Sequence, residues 1–317
     1  MRWLTRWWTR RQRDLAEPSR VDAAAIVRRA RRLRFRIKPG AVSTLGGAYL
    51  GARPGVGLTF SELHAYEPGD DVRHLDWNVT ARQGRPYVRR FVEERSLTFW
   101  LVVDISASLR FGLDGKTKAD RAAQAAALLA TAAIHNGDRV GLCLVTDRVE
   151  AEVPPGGGER HLARLIRALV ATPAASRQTD LTVGISRLRR TTRRALVVVL
   201  SDFLLPSPAP NGLWRRAARR HEVIALRLVD PREEELPAAG LLAVEDTESG
   251  QHRLVPSSSR RVRARYAEAA VRRRAAFRSW CGATGVAGHD LSTEVDPIAP
   301  LTRIFAGRAR AVGRGTT

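Results

Sequence analysis

Three oxygen-bearing side chains follow one apolar run in the stretch LTFWLVVDISASLRFG, residues 97–112. The run is typical of a buried strand and ends at Asp104, after which Ser106 and Ser108 occupy alternate positions. If the loop stays extended as far as Ser108, all three side chains point the same way. A carboxylate with two hydroxyls is a hard-oxygen set that suits Mg²⁺, an ion that keeps several of its waters in proteins. The stretch therefore predicts a magnesium site at the end of a strand.

Two later segments are expected to reach the same place. VVVLSDF ends a second apolar run at Asp202, and SRQTDLTVGI places Thr179 and Asp180 in a loop before a helix. In an open parallel α/β sheet, ligands bind beyond the carboxyl ends of the strands. Taken singly, an Asp or Thr before a helix is more often an N-cap, so Thr179 keeps that alternative interpretation. The joint occurrence of the three segments favours a shared site.

Alternating strands and helices must position these residues. The strand segments LTFWLVVDIS, RVGLCLVTD, ALVVVLSDF and EVIALRLVD contain runs that are apolar on both faces, as strands covered by helices on each side are. Predicted helices lie between them at residues 118–138, closing near Gly137, and at residues 159–171, 180–190 and 213–220. A hairpin from LLAVED and HRLVP, a helix over residues 258–281 and a strand near HDLSTEV that returns to the sheet complete the pattern. The sequence predicts a doubly wound, mainly parallel α/β sheet.

Changes of composition along the chain suggest four zones. Residues 1–38 form a basic tail with a helix over 21–36, and residues 39–95 form a smaller module rich in turns and strands. The α/β domain extends over residues 96–300 with its hairpin and helix, and residues 301–317 form a basic tail. Within the smaller module, Asp76, Arg73, Arg82 and Arg95 are expected to make buried ion pairs, with Trp77 as an anchor, and a docking surface is the alternative role of this segment.

The formal charge of +22 comes from 54 Lys and Arg residues against 32 Asp and Glu in 317 residues. Only Lys38, Lys116 and Lys118 are lysines, and the arginines are spread along the whole chain. Clustered cations favour nucleic acid through counterion release, whereas scattered ones are typical of solvated helix faces. A nucleic-acid partner is therefore not expected, and a basic nucleic-acid or membrane-surface binder stays as an alternative.

The N-terminal segment MRWLTRWWTRRQR sets Arg beside Trp3, Trp7 and Trp8. It lacks the apolar core and cleavage site of a signal peptide, and no apolar run approaches the roughly 18–20 residues that span a bilayer. It is either a frayed basic tail or a short segment that lies on an anionic membrane surface. Cys143 and Cys281 are far apart and show no metal-ligand spacing, which fits a reducing compartment. We expect a cytoplasmic protein, with peripheral contact to the inner membrane as the alternative.

Motifs of catalysis are missing from the sequence. It contains no G-x-S-x-G elbow, and its seven histidines show no H-E-x-x-H spacing. We therefore expect a protein that is not an enzyme. The alternative hypothesis is an Mg²⁺-dependent phosphate-ester hydrolase in which Asp104 and Asp202 hold the ion against a phosphate.

The segment Asp104-Ile105-Ser106-Ala107-Ser108 resembles the D-x-S-x-S motif of von Willebrand factor A domains. The metal-ion-dependent adhesion site of that family is completed by a threonine and a second aspartate, which Thr179 and Asp202 match by order and context. The resemblance implies a Rossmann-like fold and an Mg²⁺ or Mn²⁺ ion close to Asp104, Ser106, Ser108 and Thr179. It implies that Asp202 coordinates directly or through water, and that an acidic side chain of a partner completes the coordination.

The stretch YEPGDDVRHLDWNVTARQGRPYVRRFVEER, residues 66–95, resembles the signature of a bacterial family catalogued as domain of unknown function 58. In that family the signature leads directly into a von Willebrand type strand, as it does here. The resemblance implies a MoxR-type AAA+ ATPase as partner and a role in chaperone-like assembly or maturation of a client protein. The sequence does not identify the client.

Overall fold

The computed structural model describes residues 58–67, 70–93, 97–113, 116–204, 211–245 and 252–312. The predicted N-terminal helix, the three N-terminal tryptophans and the turn between the hairpin strands lie outside the described residues. The described chain divides into two compact units, which meet in sequence between residues 96 and 97.

The N-terminal unit is built from two antiparallel strands and one helix: β1 Leu58–Ala65, α1 Trp77–Gln83 and β2 Tyr87–Glu93. Asp76 is the N-cap of α1, where its carboxylate accepts the backbone N–H groups of Asn78 and Val79 at 3.1 and 3.2 Å. The helix ends at Gly84, whose φ of 66° is the left-handed conformation of a glycine C-cap. Local capping therefore fixes both ends of this short helix.

The expected arrangement of buried groups around α1 is partly wrong. Trp77 is 70% exposed, so it is not a buried anchor. Arg73 is 87% exposed and its Nε lies 4.0 Å from Asp71 Oδ1, which makes this pair a surface contact. The backbone N–H of Asp70 donates to Glu67 O at 3.0 Å.

The C-terminal unit contains the remaining strands and helices. The strands are β3 Thr98–Asp104, β4 Gly112–Leu113, β5 Lys116–Thr117, β6 Arg139–Val145, β7 Val149–Gly156, β8 Ala195–Ser201, β9 Glu222–Val229, β10 Leu241–Glu245, β11 His252–Pro256 and β12 Ala287–Ser292. The helices are α2 Lys118–His135, α3 Glu159–Ala171, α4 Leu181–Arg187, α5 Asn211–Arg220, α6 Arg260–Thr284 and α7 Ile298–Val312.

Six strands form one sheet in the order β7-β6-β3-β8-β9-β12. All neighbours are parallel except β7, which runs antiparallel to β6 at one edge. Residues of β3 alternate between two cores: Phe99, Leu101 and Val103 pack with α2, α3 and α7, while Trp100 and Val102 pack with α4, α5 and α6. The predicted mainly parallel sheet with helices on both faces is confirmed.

Local sequence explains how α2 lies so close to the sheet. Thr117 and Asp120 form a reciprocal capping box at its start, and its alanines Ala125, Ala126 and Ala130 are fully buried. Gly137 follows the helix with a φ of 84° and lets the chain reverse into β6. The cap and the small side chains thus place the first residue of α2 at the carboxyl edge of the sheet.

The last elements agree with the sequence except at the C-terminus. Strands β10 and β11 pair as the predicted hairpin, and β12 returns to pair with β9 in parallel. Residues 301–317 were predicted to be a basic tail. The chain is instead helical as far as Val312, and Leu301 and Phe305 are buried. Apolar residues at helical spacing in α7 were hidden by the surrounding basic composition. No helix among the described residues is both long and apolar enough to span a bilayer.

Gly184 in α4 is expected to tolerate no side chain. A Cβ atom there would lie 2.7 Å from Val102 Cγ1 and 3.1 Å from Val145 Cγ1. Gly184→Ala should lower the free energy of unfolding by about 1–3 kcal/mol, because the strand core is closely packed. Urea unfolding measures the change.

Gly282 in α6 is the matched control, since nothing lies within 4 Å of a Cβ built on it. Gly282→Ala is expected to raise stability by about 0.5–1 kcal/mol through helix propensity. Equal effects of the two substitutions would contradict the close contact between α4 and the sheet.

Candidate functional site

The sequence-predicted site residues lie where the parallel strands end. Asp104 is the last residue of β3, and Asp202 directly follows β8, the neighbouring strand. Thr179 lies in the loop before α4, and Ser106 and Ser108 follow β3. Topology alone therefore places the segments that carry all five residues at the carboxyl edge of the sheet.

The three hydroxyl groups lie together. Thr179 Oγ1 donates to Ser106 Oγ at 2.7 Å, and Ser106 Oγ lies 3.3 Å from Ser108 Oγ. We expected the loop to stay extended as far as Ser108. Instead, residues Ala107–Arg110 form a 3₁₀ helix with Ser106 as its N-cap. This turn, and not strand alternation, brings the two serines into contact.

Asp104 is fully buried and accepts hydrogen bonds from neutral groups. Its Oδ1 accepts Ser106 N at 2.8 Å, and its Oδ2 accepts Ser201 Oγ at 2.7 Å. Burial and the nearby Asp202 carboxylate raise the pKa of Asp104 to about 6, although the two hydrogen bonds oppose the shift. A carboxylate in this environment is stabilised by an added positive charge.

Asp202 is held differently, by Lys118, which was not among the predicted site residues. Lys118 Nζ donates to Asp202 Oδ2 at 2.7 Å and to Glu233 Oε1 at 2.8 Å. Lys118 is fully buried and Asp202 is 4% exposed. Burial lowers the pKa of Lys118, but the two carboxylates outweigh it and raise the pKa above its usual value. The ammonium is therefore charged, and it balances Asp202.

Other residues at this edge were also missed. Ser201 contacts Asp104 directly, and Glu233 follows β9 in a short 3₁₀ helix. Asp230 directly follows the apolar run of β9, which is the same signal that identified Asp104 and Asp202. Its carboxylate accepts Thr293 Oγ1 at 2.9 Å and Arg232 N at 3.0 Å, so it caps the chain locally. An acid that follows an apolar run can be recognised in the sequence. The pattern does not distinguish an acid that caps the chain from one that could bind an ion.

Thr179 and Asp180 have separate roles. Asp180 is the N-cap of α4 and accepts Thr182 N at 2.8 Å, while its own N–H donates to Thr146 O at 2.9 Å. The capping interpretation therefore applies to Asp180. The Thr179 hydroxyl is left to face Ser106.

The donor set fits a hard divalent cation. Among the described residues, no group of three or more His, Cys, Asp or Glu side chains is arranged to hold an ion. A cation at this edge would instead rely on hydroxyls, with the buried Asp104 as the charged ligand. Hydroxyl and carboxylate oxygens are suitable ligands for Mg²⁺ and Mn²⁺.

A basic cleft of about 730 Å³ lies beside the loop that carries Thr179. It starts at Asp147, the residue after Thr146, whose carbonyl accepts Asp180 N. Its lining includes Arg148, Val149, Val183, Arg187, Arg189 and Arg190. Arg148 and Arg187 have carboxylate neighbours, but Arg189 and Arg190 are exposed and form no ion pair with another described residue. The cleft suits an anionic ligand.

Together these features define an α/β domain with a polar, cation-compatible site at the carboxyl edge of a mainly parallel sheet. A family model described as "Protein of unknown function DUF58" matches residues 62–276, and the chain belongs to this family. The expected relation to domain of unknown function 58 is confirmed.

Similar proteins occur in mycobacteria. Uncharacterized protein Rv1480 of Mycobacterium tuberculosis and uncharacterized protein Mb1516 of Mycobacterium bovis are each 37% identical over 298 residues, 93% of this chain and 93% of each relative. Uncharacterized protein MAV169 of Mycobacterium avium is 34% identical over 166 residues, 51% of this chain and 97% of that protein. The similarity to the first two relatives therefore includes both units.

Two solved structures resemble the chain at low sequence identity. The conserved hypothetical protein BatB from Bacteroides thetaiotaomicron is 12% identical, with a TM-score of 0.45, over 68% of this chain and 100% of that chain. An aerotolerance-related membrane protein from Bacteroides fragilis is also 12% identical, with a TM-score of 0.44 over the same shares.

Binding of Mg²⁺ is expected to weaken at acidic pH. Protons compete with the cation for Asp104, whose pKa is raised to about 6, so affinity should be constant above that pH. Below it, affinity should fall about tenfold per pH unit, as for one competing proton. Titration calorimetry from about pH 5 to about pH 8, a range that includes the raised pKa, measures the Mg²⁺ affinity at each pH.

Asp138 provides the control, because burial also raises its pKa to about 6. It lies just before β6, at the opposite edge of the sheet, where it accepts Leu97 N. Asp138→Asn should leave the pH profile of Mg²⁺ binding unchanged. A profile that moves with Asp138, or that is flat in the wild type, would rule out Asp104 as the ligand.

Proposed function

We propose that this protein is a non-enzymatic, metal-dependent protein-interaction module of the von Willebrand factor A type. The observation that carries the proposal is the buried Asp104 carboxylate beside the linked hydroxyls of Ser106, Ser108 and Thr179. These four residues would hold Mg²⁺ or Mn²⁺, with Asp202 close by.

The topology supports this type of domain. The D-x-S-x-S segment begins at the end of β3, a central strand, and the antiparallel strand β7 lies at the sheet edge. Thr179 reaches the site from the loop before α4, and Asp202 from the end of β8. The order of the segments is the one that the resemblance to von Willebrand factor A domains implies.

The residues at the site favour binding over turnover. A bound divalent cation would supply a positive charge that an acidic side chain can meet by replacing a water. The hydroxyls of Ser106, Ser108 and Thr179 are neutral, so they leave most of that charge uncompensated. The negative charge of Asp202 is already balanced by the ammonium group of Lys118. The site thus favours an anionic group from outside the chain.

The proposed partner is a MoxR-type AAA+ ATPase, acting with this protein in chaperone-like assembly or maturation of a client. The family resemblance motivates the choice of partner. The arginine-lined cleft adds physical support, because Arg189 and Arg190 are exposed in its lining and complement the charge of an acidic partner surface. Charge complementarity of this kind raises the association rate and fixes the orientation of a partner.

The test is capture of the purified MoxR-type ATPase of the source cell by the immobilised protein, in Mg²⁺ and in EDTA. Capture should require Mg²⁺. The double variant Arg189→Glu/Arg190→Glu should weaken capture at least about tenfold, because it reverses two exposed charges at the cleft. The loss should be greatest at low salt, where surface charges are screened least.

Arg272 and Arg278 provide the control, since both lie on α6, away from the cleft lining. Arg272→Glu/Arg278→Glu changes the net charge by the same amount and should leave capture unchanged. Mg²⁺ binding itself should be the same in both double variants. Equal losses in the two would assign the effect to net charge, and capture that persists in EDTA would contradict the metal-dependent proposal.

A further inference from the structure

Lys118 is a fully buried cation at the candidate site. As the first residue of α2, it joins Asp202 at the end of β8 to Glu233 after β9, with Nζ···O distances of 2.7 and 2.8 Å. Burying an ammonium group is costly unless it is paired and hydrogen-bonded. Both conditions are met here, so the charge is held in one place.

The choice of lysine is informative in this chain. Only three of its 54 basic residues are lysines, and Lys118 is one of them. An ammonium is a compact point charge, whereas a guanidinium is a planar fork that needs more room. A compact cation fits between Asp202 and Glu233, in a sequence whose other basic residues are almost all arginine.

The two aspartates of the site are consequently unlike. Asp202 accepts Lys118 Nζ on Oδ2 and Leu204 N on Oδ1, so both of its oxygens are engaged and its charge is balanced. Asp104 accepts only neutral donors, from Ser106 and Ser201, among the described residues. A cation that enters the site meets one uncompensated carboxylate and one that is already bound to an ammonium.

We propose that Lys118 is a positioning residue that keeps Asp202 out of direct contact with the ion and limits the negative charge of the site. The inference rests on the proposed function. Its consequence is that the ion is held by Asp104 and the hydroxyls, and keeps more of its charge for an acidic group of the partner. Without Lys118, the freed Asp202 carboxylate becomes available to the ion, which then binds more tightly.

A double-mutant cycle tests the inference through Mg²⁺ affinity alone. The four proteins are the wild type, Asp202→Asn, Lys118→Met and the double variant, each titrated with Mg²⁺ by calorimetry. Asp202→Asn should change the wild-type Kd by less than about threefold, whereas Lys118→Met should lower it about tenfold. In the Lys118→Met background, Asp202→Asn should then raise the Kd at least about tenfold.

The cycle separates the possible outcomes. A purely structural lysine would give additive effects on Mg²⁺ affinity, and additivity would overturn the inference while the proposed function stands. A wild-type protein that does not bind Mg²⁺ would overturn the proposed function itself. If Lys118→Met does not fold, as judged by circular dichroism, the same cycle is run with Glu233→Gln in all four proteins. That change removes one of the two carboxylates left unpaired, and the same coupling is expected.

Discussion

Asp104→Asn should abolish the proposed Mg²⁺ binding and, with it, capture of the proposed ATPase partner. The substitution removes the uncompensated charge of the site but keeps the size of the side chain and an oxygen that accepts Ser106 N. We expect Mg²⁺ affinity to fall at least about a hundredfold, because a neutral amide replaces an anion in direct reach of a divalent cation. The free energy of unfolding should change by less than about 1.5 kcal/mol, since both hydrogen bonds can be kept. Calorimetry, capture and urea unfolding give the three readouts.

Asp230→Asn is the matched control, because Asp230 is also a buried acid at a strand end on this edge. It should keep Mg²⁺ affinity within about threefold of the wild type. A hydrolase would behave differently from the proposed module: Asp104→Asn would stop turnover but leave partner binding intact, since catalytic ions mainly stabilise developing charge. Undiminished, EDTA-resistant capture by a folded Asp104→Asn protein would exclude the adhesion-site mechanism.

Elements with a regular apolar pattern were predictable from the sequence. The helix predicted at residues 159–171 is observed as Glu159–Ala171, and each of the four apolar runs forms a strand of the sheet. Helix α7 was missed because basic residues surround its apolar positions. Ser106 and Ser108 were expected to point the same way because of strand alternation, but a 3₁₀ turn brings them together, and such a turn depends on local hydrogen bonds that alternation does not reveal.

The candidate site was only partly predictable for a topological reason. Asp104 and Asp202 were found because parallel strands end at one edge, so a strand-end acid in the sequence has a known place in the fold. Lys118 reaches Asp202 across 84 positions of the chain and Glu233 across 115. No local pattern specifies such a pair. Only the packing of α2 against the sheet brings the long side chain to both carboxylates.

Loss of the lysine should be costly for stability. Lys118→Met leaves the buried Asp202 and the 21% exposed Glu233 without their cation. Removing one partner of a buried ion pair typically costs about 3–5 kcal/mol, because the remaining charge is poorly solvated. We expect a loss of that size in urea unfolding without Mg²⁺. Added Mg²⁺ should recover part of it, since a ligand that binds only the folded state stabilises that state.

Arg272→Met supplies the comparison, because Arg272 forms an exposed pair with Glu268 at 3.8 Å. Exposed pairs contribute little, and we expect no resolvable change in the free energy of unfolding. The double variant Lys118→Met/Asp202→Asn should recover stability relative to Lys118→Met, because it removes one of the stranded carboxylates. A Lys118→Met protein as stable as the wild type would show that the buried bridge does not stabilise the fold.

Strand β7 forms one edge of the six-stranded sheet, and its residues limit how another strand can pair with it. An exposed edge presents unpaired backbone groups that can template strand addition and lead to aggregation. β7 carries Glu150 and Glu152 in its first half, and Pro154 and Pro155 near its end, where no backbone N–H is available to a neighbouring strand. Charges and prolines of this kind discourage edge-to-edge pairing. Any recognition along β7 is therefore expected to use side chains, such as the arginines of the adjoining cleft, and not extension of the sheet.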